Sequence, residues 1–314
     1  MDKFNPVDMS VWQGRQDPED GELALRWHDK VQPWPQAGRA APGVALVGFA
    51  CDEGVRRNKG RVGAAGAPLA VRKLLANSAW HLGRPVYDSG DERCEDGDLD
   101  AAHGRLAERV ASLLDEGHFP LVLGGGHEVA FGSWSGLNLH LAGRGRIGII
   151  NFDAHFDLRM KLEQASSGTP FFQIAEQCAA QGTPFTYACL GVAETANTQA
   201  LFARAEALGV WHVLDEAMTP AELPALLSGL DAFIARCDHL YLTIDLDVLP
   251  AAVMPGVSAP AARGVELAVI EPLIAHIRAS GKLRLADLAE YNPSLDQDNR
   301  SARVAARLVH QLTK

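Results

Sequence analysis

The stretch that decides the fold is residues 147–157, which read IGIINFDAHFD. Its apolar beginning, 147–150, predicts a short buried strand, because a continuous apolar run is typical of a strand covered on both faces. Asp153, His155 and Asp157 then follow at every second position. Side chains at alternate positions of an extended segment point to the same side. The stretch therefore predicts a strand that ends in a cluster of metal-binding groups.

Two other apolar runs lead into similar motifs. The run at 121–123 precedes GGGHE, which contains His127, and the run at 240–242 precedes TIDLD, which contains Asp245 and Asp247. The six histidine and aspartate residues of these motifs bring four carboxylates and two imidazoles, whose net charge of −4 two divalent cations would cancel. Without cations, that many carboxylates in one pocket would repel each other strongly. The predicted metal ligands are His127, Asp153, His155, Asp157, Asp245 and Asp247.

The predicted ligands are oxygen and imidazole groups, with no thiolate among them. This combination favours manganese or iron, whereas a structural zinc site more often contains cysteine. A pair of such ions lowers the pKa of a shared water enough to supply hydroxide near neutral pH. We predict two divalent cations per subunit, with Mn²⁺ and Fe²⁺ both open.

From Gly43 onwards, candidate strands alternate with helical stretches, which predicts a three-layer α/β fold with a mostly parallel sheet between helices. The eight candidate strands are 44–49, 86–88, 121–123, 147–152, 186–190, 210–213, 240–244 and 283–288. Helical stretches include 67–75, 99–116, 198–207, 220–235 and 265–279. All three metal motifs follow strands, and the carboxyl ends of parallel strands are where such folds place their functional groups.

The first 42 residues are polar but contain Trp12, Trp27 and Trp34. Since three tryptophans rarely remain in a disordered tail, we predict that 1–42 is a cap packed on the same domain. Residues 43–314 then form the catalytic α/β domain.

Composition excludes several classes of protein. The net charge is −10 and there is no basic stretch, so we expect no nucleic-acid partner. No apolar run approaches the roughly 20 residues that span a bilayer, and the amino-terminal residues are not those of a signal peptide, so we expect no membrane partner. The five cysteines are scattered, which is typical of reduced thiols in a cytoplasmic protein.

The three metal motifs, in this order, resemble those of the ureohydrolases, the superfamily of arginase and agmatinase. The segment 63–72 and the sequence EYNP at 290–293 also resemble that superfamily, and the resemblance covers nearly the whole chain. It implies eight parallel strands between helices, two manganese ions and hydrolysis of a C–N bond in an amidine or guanidine. It further implies that Glu290 faces the cationic amidine, and that the subunits form trimers or hexamers.

Four shorter segments (51–61, 157–159, 166–171 and 255–260) resemble the branch that cleaves N-formimidoyl-L-glutamate to glutamate and formamide in histidine degradation. Ser167 occupies the place where arginases and agmatinases have a histidine, which leaves Asp157 as the nearest group to relay a proton. Arg159 is predicted to bind a substrate carboxylate in a bidentate manner. Further candidate substrate contacts are Ser167, Asn58 and Arg61, with Arg57, Glu194 and Asn197 as weaker ones.

Several alternatives stay open at this stage. The chain could be a ureohydrolase for an acidic guanidino compound, a single-zinc deacetylase-like enzyme on a related fold, or a metal-loaded subunit that regulates an active homologue. Glu290 could instead be a solvated residue at a helix end, and Arg159 could pair with Glu163 on the surface. The expected ligand is a small amino-acid substrate.

Overall fold

A computed structural model describes residues 7–34 and 40–314 of the chain. The strands in these ranges are β1 (Gln32–Pro33), β2 (Val44–Ala50), β3 (Val86–Arg93), β4 (Phe119–Leu123), β5 (Ile147–Phe152), β6 (Tyr187–Val192), β7 (Trp211–Leu214), β8 (His239–Asp245) and β9 (Leu283–Ala289). They form one sheet in the order β1-β3-β2-β4-β9-β8-β5-β6-β7. Every neighbouring pair is parallel.

The helices pack on both faces of this sheet. They are α1 (Trp27–Lys30), α2 (Glu53–Arg57), α3 (Ala67–Ala76), α4 (Leu99–Asp115), α5 (Val129–Leu141), α6 (Pro170–Gln181), α7 (Gln199–Ala207), α8 (Leu223–Ile234), α9 (Leu267–Ala279) and α10 (Arg300–Thr313). Among these described helices, none combines the length and apolar character that crossing a bilayer requires. The predicted three-layer α/β architecture is confirmed.

The predicted number of strands was one too low. All eight predicted strands are present, and β5 has the predicted bounds, but Gln32–Pro33 adds a ninth strand at the sheet edge. It pairs with Tyr87 and Asp88 of β3, and the Trp34 N–H donates to the Asp88 carbonyl over 2.8 Å. A two-residue strand without an apolar run has no sequence signal, and proline is tolerated there because the strand lies at an edge.

Alternation of side chains along the strands divides the core into two layers. In β2, Val44 and Leu46 join one hydrophobic cluster, with α1, α3, α8, α9 and α10, while Ala45 and Val47 join the other, with α4 to α7. All four side chains are fully buried. Burial on both faces explains why the strands have continuous apolar sequences rather than alternating ones.

The tryptophans of the amino-terminal segment contact the domain. Trp12 and Trp27 are buried, and the Trp12 indole N–H donates to the Asp88 carboxylate over 2.8 Å. The Trp34 ring contacts the rings of Tyr87 and His118. Residues 1–6 and 35–39 of the predicted 1–42 cap lie outside the described residues, and the division of the chain at 42/43 stays a prediction.

Four adjacent central strands bring the predicted site residues to one edge of the sheet. In spatial order, β4 leads to His127, β9 to Glu290, β8 ends at Asp245, and β5 leads to Asp153. Because these strands are parallel, their carboxyl ends meet at the same edge. The topology therefore converts separate sequence motifs into one cluster.

Candidate metal centre

The imidazole of His127 lies at the centre of a cluster of carboxylates. Its Nδ1 atom is 3.1 Å from an Asp153 oxygen, 2.9 Å from an Asp157 oxygen and 3.0 Å from an Asp245 oxygen. The ring is buried, and its edge contacts the ring of Phe171. These four residues place their ligand atoms close enough together to surround one metal ion.

A second group of ligands adjoins the first. The His155 Nδ1 atom is 3.0 Å from an Asp247 oxygen and 3.6 Å from the other Asp153 oxygen, so Asp153 belongs to both groups. The structure thus brings together all six residues that the motifs single out, in two groups that share a carboxylate. Two adjoining groups are the arrangement that a binuclear site needs, although the role of each residue as a ligand stays a prediction.

The residues fit divalent cations on physical grounds. His127 Nδ1 is buried and faces three carboxylate oxygens, but none of these contacts has the geometry of a hydrogen bond. Burial, together with the charges of Asp247 and Asp153, raises the pKa of Asp245 to about 8. Burial and the charge of Asp153 likewise raise the pKa of Asp157 to about 6. Divalent cations would neutralise these crowded carboxylates and supply a partner for the unpaired ring nitrogen.

The turn that carries His127 is possible only because it consists of glycines. A Cβ atom added to Gly125 would lie 1.6 Å from the carbonyl oxygen of Cys51, and the Gly126 N–H donates to that same oxygen over 3.0 Å. Any side chain at Gly125 would push this turn away from β2. The glycines therefore bring the backbone close enough to hold His127 against the carboxylates.

Glu290 is tied to the same turn. Its N–H donates to the Gly125 carbonyl over 2.8 Å, and its Oε1 accepts the His127 N–H over 2.9 Å. The residue is buried, and burial together with the charge of Asp245 raises the pKa of Glu290 well above its usual range. The alternative of a solvated helix-end glutamate is therefore wrong. Glu290 and Asp157 both have left-handed backbone, with φ of 66° and 48°, a conformation that is uncommon for non-glycine residues.

A buried polar network that the motifs did not reveal contacts the Nε2 side of the His127 ring. Its Nε2 atom is 3.0 Å from the Thr243 hydroxyl, and both residues are fully buried. Behind Thr243 lies Asp287, whose Oδ2 accepts the Tyr241 hydroxyl over 2.5 Å. Burial raises the pKa of Asp287, which the Thr243 hydroxyl partly offsets. Thr243 lies two residues before Asp245 on the same side of β8, and this spacing was a usable signal for a supporting role.

The loop that follows β5 is held by two asparagines. Asn151 donates to the Asp153 Oδ2 over 2.8 Å and to the Tyr187 hydroxyl over 3.0 Å. Asn197, a weaker candidate for substrate binding, accepts the Phe156 N–H over 3.0 Å and donates to the Ala154 carbonyl over 2.9 Å. Its amide therefore fixes the backbone between the metal-binding positions.

A cavity of about 440 Å³ opens above the cluster, and its lining includes Asp157, Asp245, Asp247 and Glu290. The predicted substrate contacts Asn58, Arg61, Arg159 and Ser167 also line it. The Asn58 amide donates to the Ser167 hydroxyl over 3.2 Å. The structure therefore brings these candidates to the same cavity as the metal-binding motifs, while their contacts with a substrate stay predictions.

The two arginines of the cavity differ in what they are free to bind. Arg61 directs its Nε and Nη2 atoms at the carbonyl oxygens of Ser258 and Val257, over 3.0 and 2.7 Å. The guanidinium of Arg159, by contrast, is exposed and has no hydrogen-bond or ion-pair partner in the part of the chain that the structure describes. Glu163, the surface partner considered for Arg159, forms no ion pair with it although both residues are described. Arg159 is thus available to an anionic ligand.

Sequence and fold comparisons agree on one class of protein. The arginase family matches residues 42–314. The chain therefore belongs to the arginase family.

Within that class, several of the similar proteins are named formimidoylglutamase or formiminoglutamase, and others are named arginase. The formimidoylglutamase of Aeromonas hydrophila is 98% identical to this chain over 100% of both sequences. The crystal structure of formimidoylglutamase from Bacillus subtilis matches with a TM-score of 0.83 at 23% identity, covering 96% of this chain and 93% of that one. The structure of Trypanosoma cruzi formiminoglutamase with Mn²⁺ matches with a TM-score of 0.77 at 25% identity, covering 87% and 92%.

Proposed function

We propose that the chain hydrolyses N-formimidoyl-L-glutamate to L-glutamate and formamide, a step of histidine degradation. The observation that carries this proposal is the polarity of the cavity. Asp157, Asp245 and Glu290 lie at its base, whereas Arg159 lines it with a free guanidinium. A substrate with a cationic amidine at one end and carboxylates at the other is complementary to this arrangement. The name of the nearly identical Aeromonas protein supports the same substrate.

The first part of the proposal is a pair of Mn²⁺ ions, with Fe²⁺ as the alternative. His127, Asp153, Asp157 and Asp245 would hold one ion, and Asp153, His155 and Asp247 would hold the other. The donor set of carboxylates and imidazoles suits manganese, and the similar T. cruzi protein was crystallised with Mn²⁺. When bound, such a pair supplies hydroxide near neutral pH.

Glu290 orients the amidine. One of its oxygens is occupied by the His127 N–H, so the carboxylate is fixed in position while it faces the cavity. A carboxylate beside a planar amidinium forms paired, charge-assisted hydrogen bonds. This pairing holds the electrophilic carbon above the carboxylate cluster, and such positioning is itself a large contribution to catalysis.

Asp157 moves the proton. It lines the cavity, and Ser167 in the neighbouring loop provides no imidazole for the purpose. Asp157 takes a proton from the attacking water and gives it to the glutamate nitrogen as the C–N bond breaks. The amine then leaves in neutral form and formamide keeps the oxygen of the water. The hydroxyl proton of the intermediate passes to the released amine, which becomes the ammonium group of glutamate. A positioned acid–base group of this kind is worth about 10²–10⁴-fold in rate.

Arg159 binds the amino-acid end of the substrate. Its backbone N–H donates to the Gly168 carbonyl over 2.9 Å, which anchors the residue at the cavity. The planar guanidinium can hold a carboxylate with two parallel hydrogen bonds. It also repels substrates whose far end is a cation, such as agmatine, which favours the acidic substrate.

A panel of substrates tests the proposal. The Mn²⁺-loaded protein is supplied with formimidoylglutamate, arginine, agmatine and an acidic guanidino compound, and formamide and urea are measured separately. We expect formamide from formimidoylglutamate with kcat/KM at least about 100-fold above the others. Urea from the acidic guanidino compound as the main product would instead identify an amidinohydrolase for that class.

We also propose that the enzyme is a cytoplasmic homo-oligomer, trimeric or hexameric. The support for the compartment is a set of five cysteines that are all free thiols, four of them buried. The support for the assembly is membership of the arginase family. Light scattering of the purified protein gives the subunit number directly, and a monomer would contradict the second statement.

A further inference from the structure

A short cationic segment follows β2 at the cavity, and most of its charges are already paired. Residues 56–61 read RRNKGR. Arg56 donates to the Glu53 carboxylate, with Nε 2.7 Å from Oε2. Arg57 donates to the same carboxylate over 2.7 Å and to the Gly97 carbonyl over 2.7 Å. These two arginines therefore stabilise α2 and its neighbouring loops, and neither of them lines the cavity.

Lys59 is the exception in this segment. Arg61 donates to the carbonyls of Val257 and Ser258, as described above. The ammonium group of Lys59 has no hydrogen-bond or ion-pair partner in the residues described by the structure, and the residue lines the cavity. An unpaired cation in the wall of a cavity above a cluster of carboxylates is available to bind an anionic group of a ligand.

The backbone at Lys59 adds a second observation. The Lys59 N–H donates to the Arg56 carbonyl over 3.1 Å and the Gly60 N–H to the Val55 carbonyl over 2.9 Å, so α2 ends in a Schellman motif. Lys59 occupies the left-handed position of that motif, with φ of 62°. Glycine is the usual residue there because a side chain costs conformational energy. A lysine at this position is a local departure of the kind that functional sites show.

The residues next to Lys59 hold it in place. A Cβ atom on Gly60 would lie 2.8 Å from the Ser258 hydroxyl, and that hydroxyl accepts the Arg61 N–H over 2.7 Å. The turn is thus packed against the 257–258 loop. On the other side, a Cβ atom on Gly168 would approach both the Asn58 amide and the Arg159 side chain, at 3.2 and 2.9 Å. Gly168 therefore packs between Arg159 and Asn58, the residue next to Lys59, and all three side chains line the same cavity.

We propose that Lys59 is a second carboxylate-binding residue, which holds one of the two carboxylates of the substrate while Arg159 holds the other. The inference rests on the proposed function, because only a dicarboxylate substrate requires two cations. One guanidinium neutralises one carboxylate, and the second would otherwise face the negative base of the cavity without a counter-charge. With both cations, the enzyme discriminates an acidic amino-acid amidine from a monocarboxylate one.

The test compares variants on substrates that lack one carboxylate. The substrates are N-formimidoyl-L-glutamate, its analogue without the α-carboxylate (N-formimidoyl-4-aminobutyrate) and its analogue without the γ-carboxylate (N-formimidoyl-2-aminobutyrate). Lys59→Met should lower kcat/KM for the dicarboxylate by about 10- to 100-fold, mainly through KM. For the analogue that lacks the carboxylate bound by Lys59, Lys59→Met should change kcat/KM by less than about 2-fold, whereas Arg159→Met should lower it. For the other analogue, Arg159→Met should have the small effect and Lys59→Met the large one.

Further variants separate the effect of losing the Lys59 charge from any effect of the substitution on folding. Lys59→Gly removes the same charge but relieves the left-handed backbone, so it should match Lys59→Met in kinetics while keeping thermal stability. Lys59→Arg should recover a large part of the loss. Arg56→Met, in the same segment but paired with Glu53 and outside the cavity lining, is the control and should stay within about 2-fold of the parent.

The outcomes for the inference and for the proposed function are distinct. If the parent enzyme releases no formamide from formimidoylglutamate, the proposed function is wrong whatever Lys59 does. If the parent is active but Lys59→Met and Lys59→Gly leave kcat/KM unchanged, Lys59 binds no carboxylate. Equal losses on the dicarboxylate and on both analogues would also overturn the assignment, since a carboxylate-specific contact cannot act on a substrate that lacks its group.

Discussion

Replacing Thr243 with valine removes one hydroxyl from beneath the metal centre while keeping the shape of the side chain. The hydroxyl is 3.0 Å from His127 Nε2, and both residues are fully buried, so no solvent replaces the lost contact. A buried donor left without a partner costs about 1–3 kcal/mol. The ring then loses the contact that directs its Nδ1 towards the carboxylates, and loss of such a supporting contact typically weakens metal binding roughly 10- to 100-fold.

The assay is a calorimetric titration of chelator-treated protein with Mn²⁺. Thermal unfolding of the same protein is measured in parallel. Thr243→Val should weaken one of the binding events by the factor just given and lower the melting temperature. Thr243→Ser is the matched control, because it keeps the hydroxyl, and it should bind Mn²⁺ with nearly the parent affinity. A folded Thr243→Val protein with unchanged Mn²⁺ affinity would refute the reasoning that this hydroxyl orients His127.

Three further predictions concern the reaction and the stability of metal-free protein. Asp157→Asn should lower kcat by at least about 10²-fold with the fold intact by circular dichroism, whereas Ser167→Ala should have a modest effect; near-parent turnover of Asp157→Asn would remove this carboxylate from the mechanism. Arg159→Met should reduce kcat/KM for formimidoylglutamate by roughly 10- to 150-fold, with Arg159→Lys recovering only part, and an unchanged value would make the arginine irrelevant to the substrate. Burial and neighbouring carboxylates raise the pKa of Asp245 to about 8, so the folded metal-free protein holds a proton that the unfolded chain releases near pH 4. Its melting temperature should therefore fall as the pH rises from 5 to 8, and a rise over that range would contradict the assignment.

The sequence was sufficient for the fold and for the convergence of the six motif residues because both depend on local patterns. Apolar runs marked the strands, and β5 begins and ends where the 147–152 run does. Ligands at alternate positions and at strand ends need only the geometry of an extended chain in a parallel sheet to converge. The helix α5 was not among the predicted stretches, because its buried glycines and its apolar residues on several sides give no clear amphipathic stripe.

Contacts of long side chains could not be predicted in this way. Arg57, Arg61 and Lys59 have similar positions in the sequence, yet two of them bind backbone carbonyls and one is free. Which partner such a flexible side chain finds depends on loops distant in sequence, such as the one at 257–258. The pairing of His127 with Thr243 likewise joins the turn after β4 to β8, and these two strands are separated in the sheet by β9. Local periodicity contains no information about these choices.

We propose that two metal ions, held by the six motif residues, make the chain a formimidoylglutamate hydrolase. The most direct test is to add Mn²⁺ stepwise to metal-free protein and to measure bound metal per chain and formamide release on the same samples. We predict that turnover rises as the second ion binds and is maximal at two ions per chain. Full activity with one ion bound per chain would contradict the binuclear account.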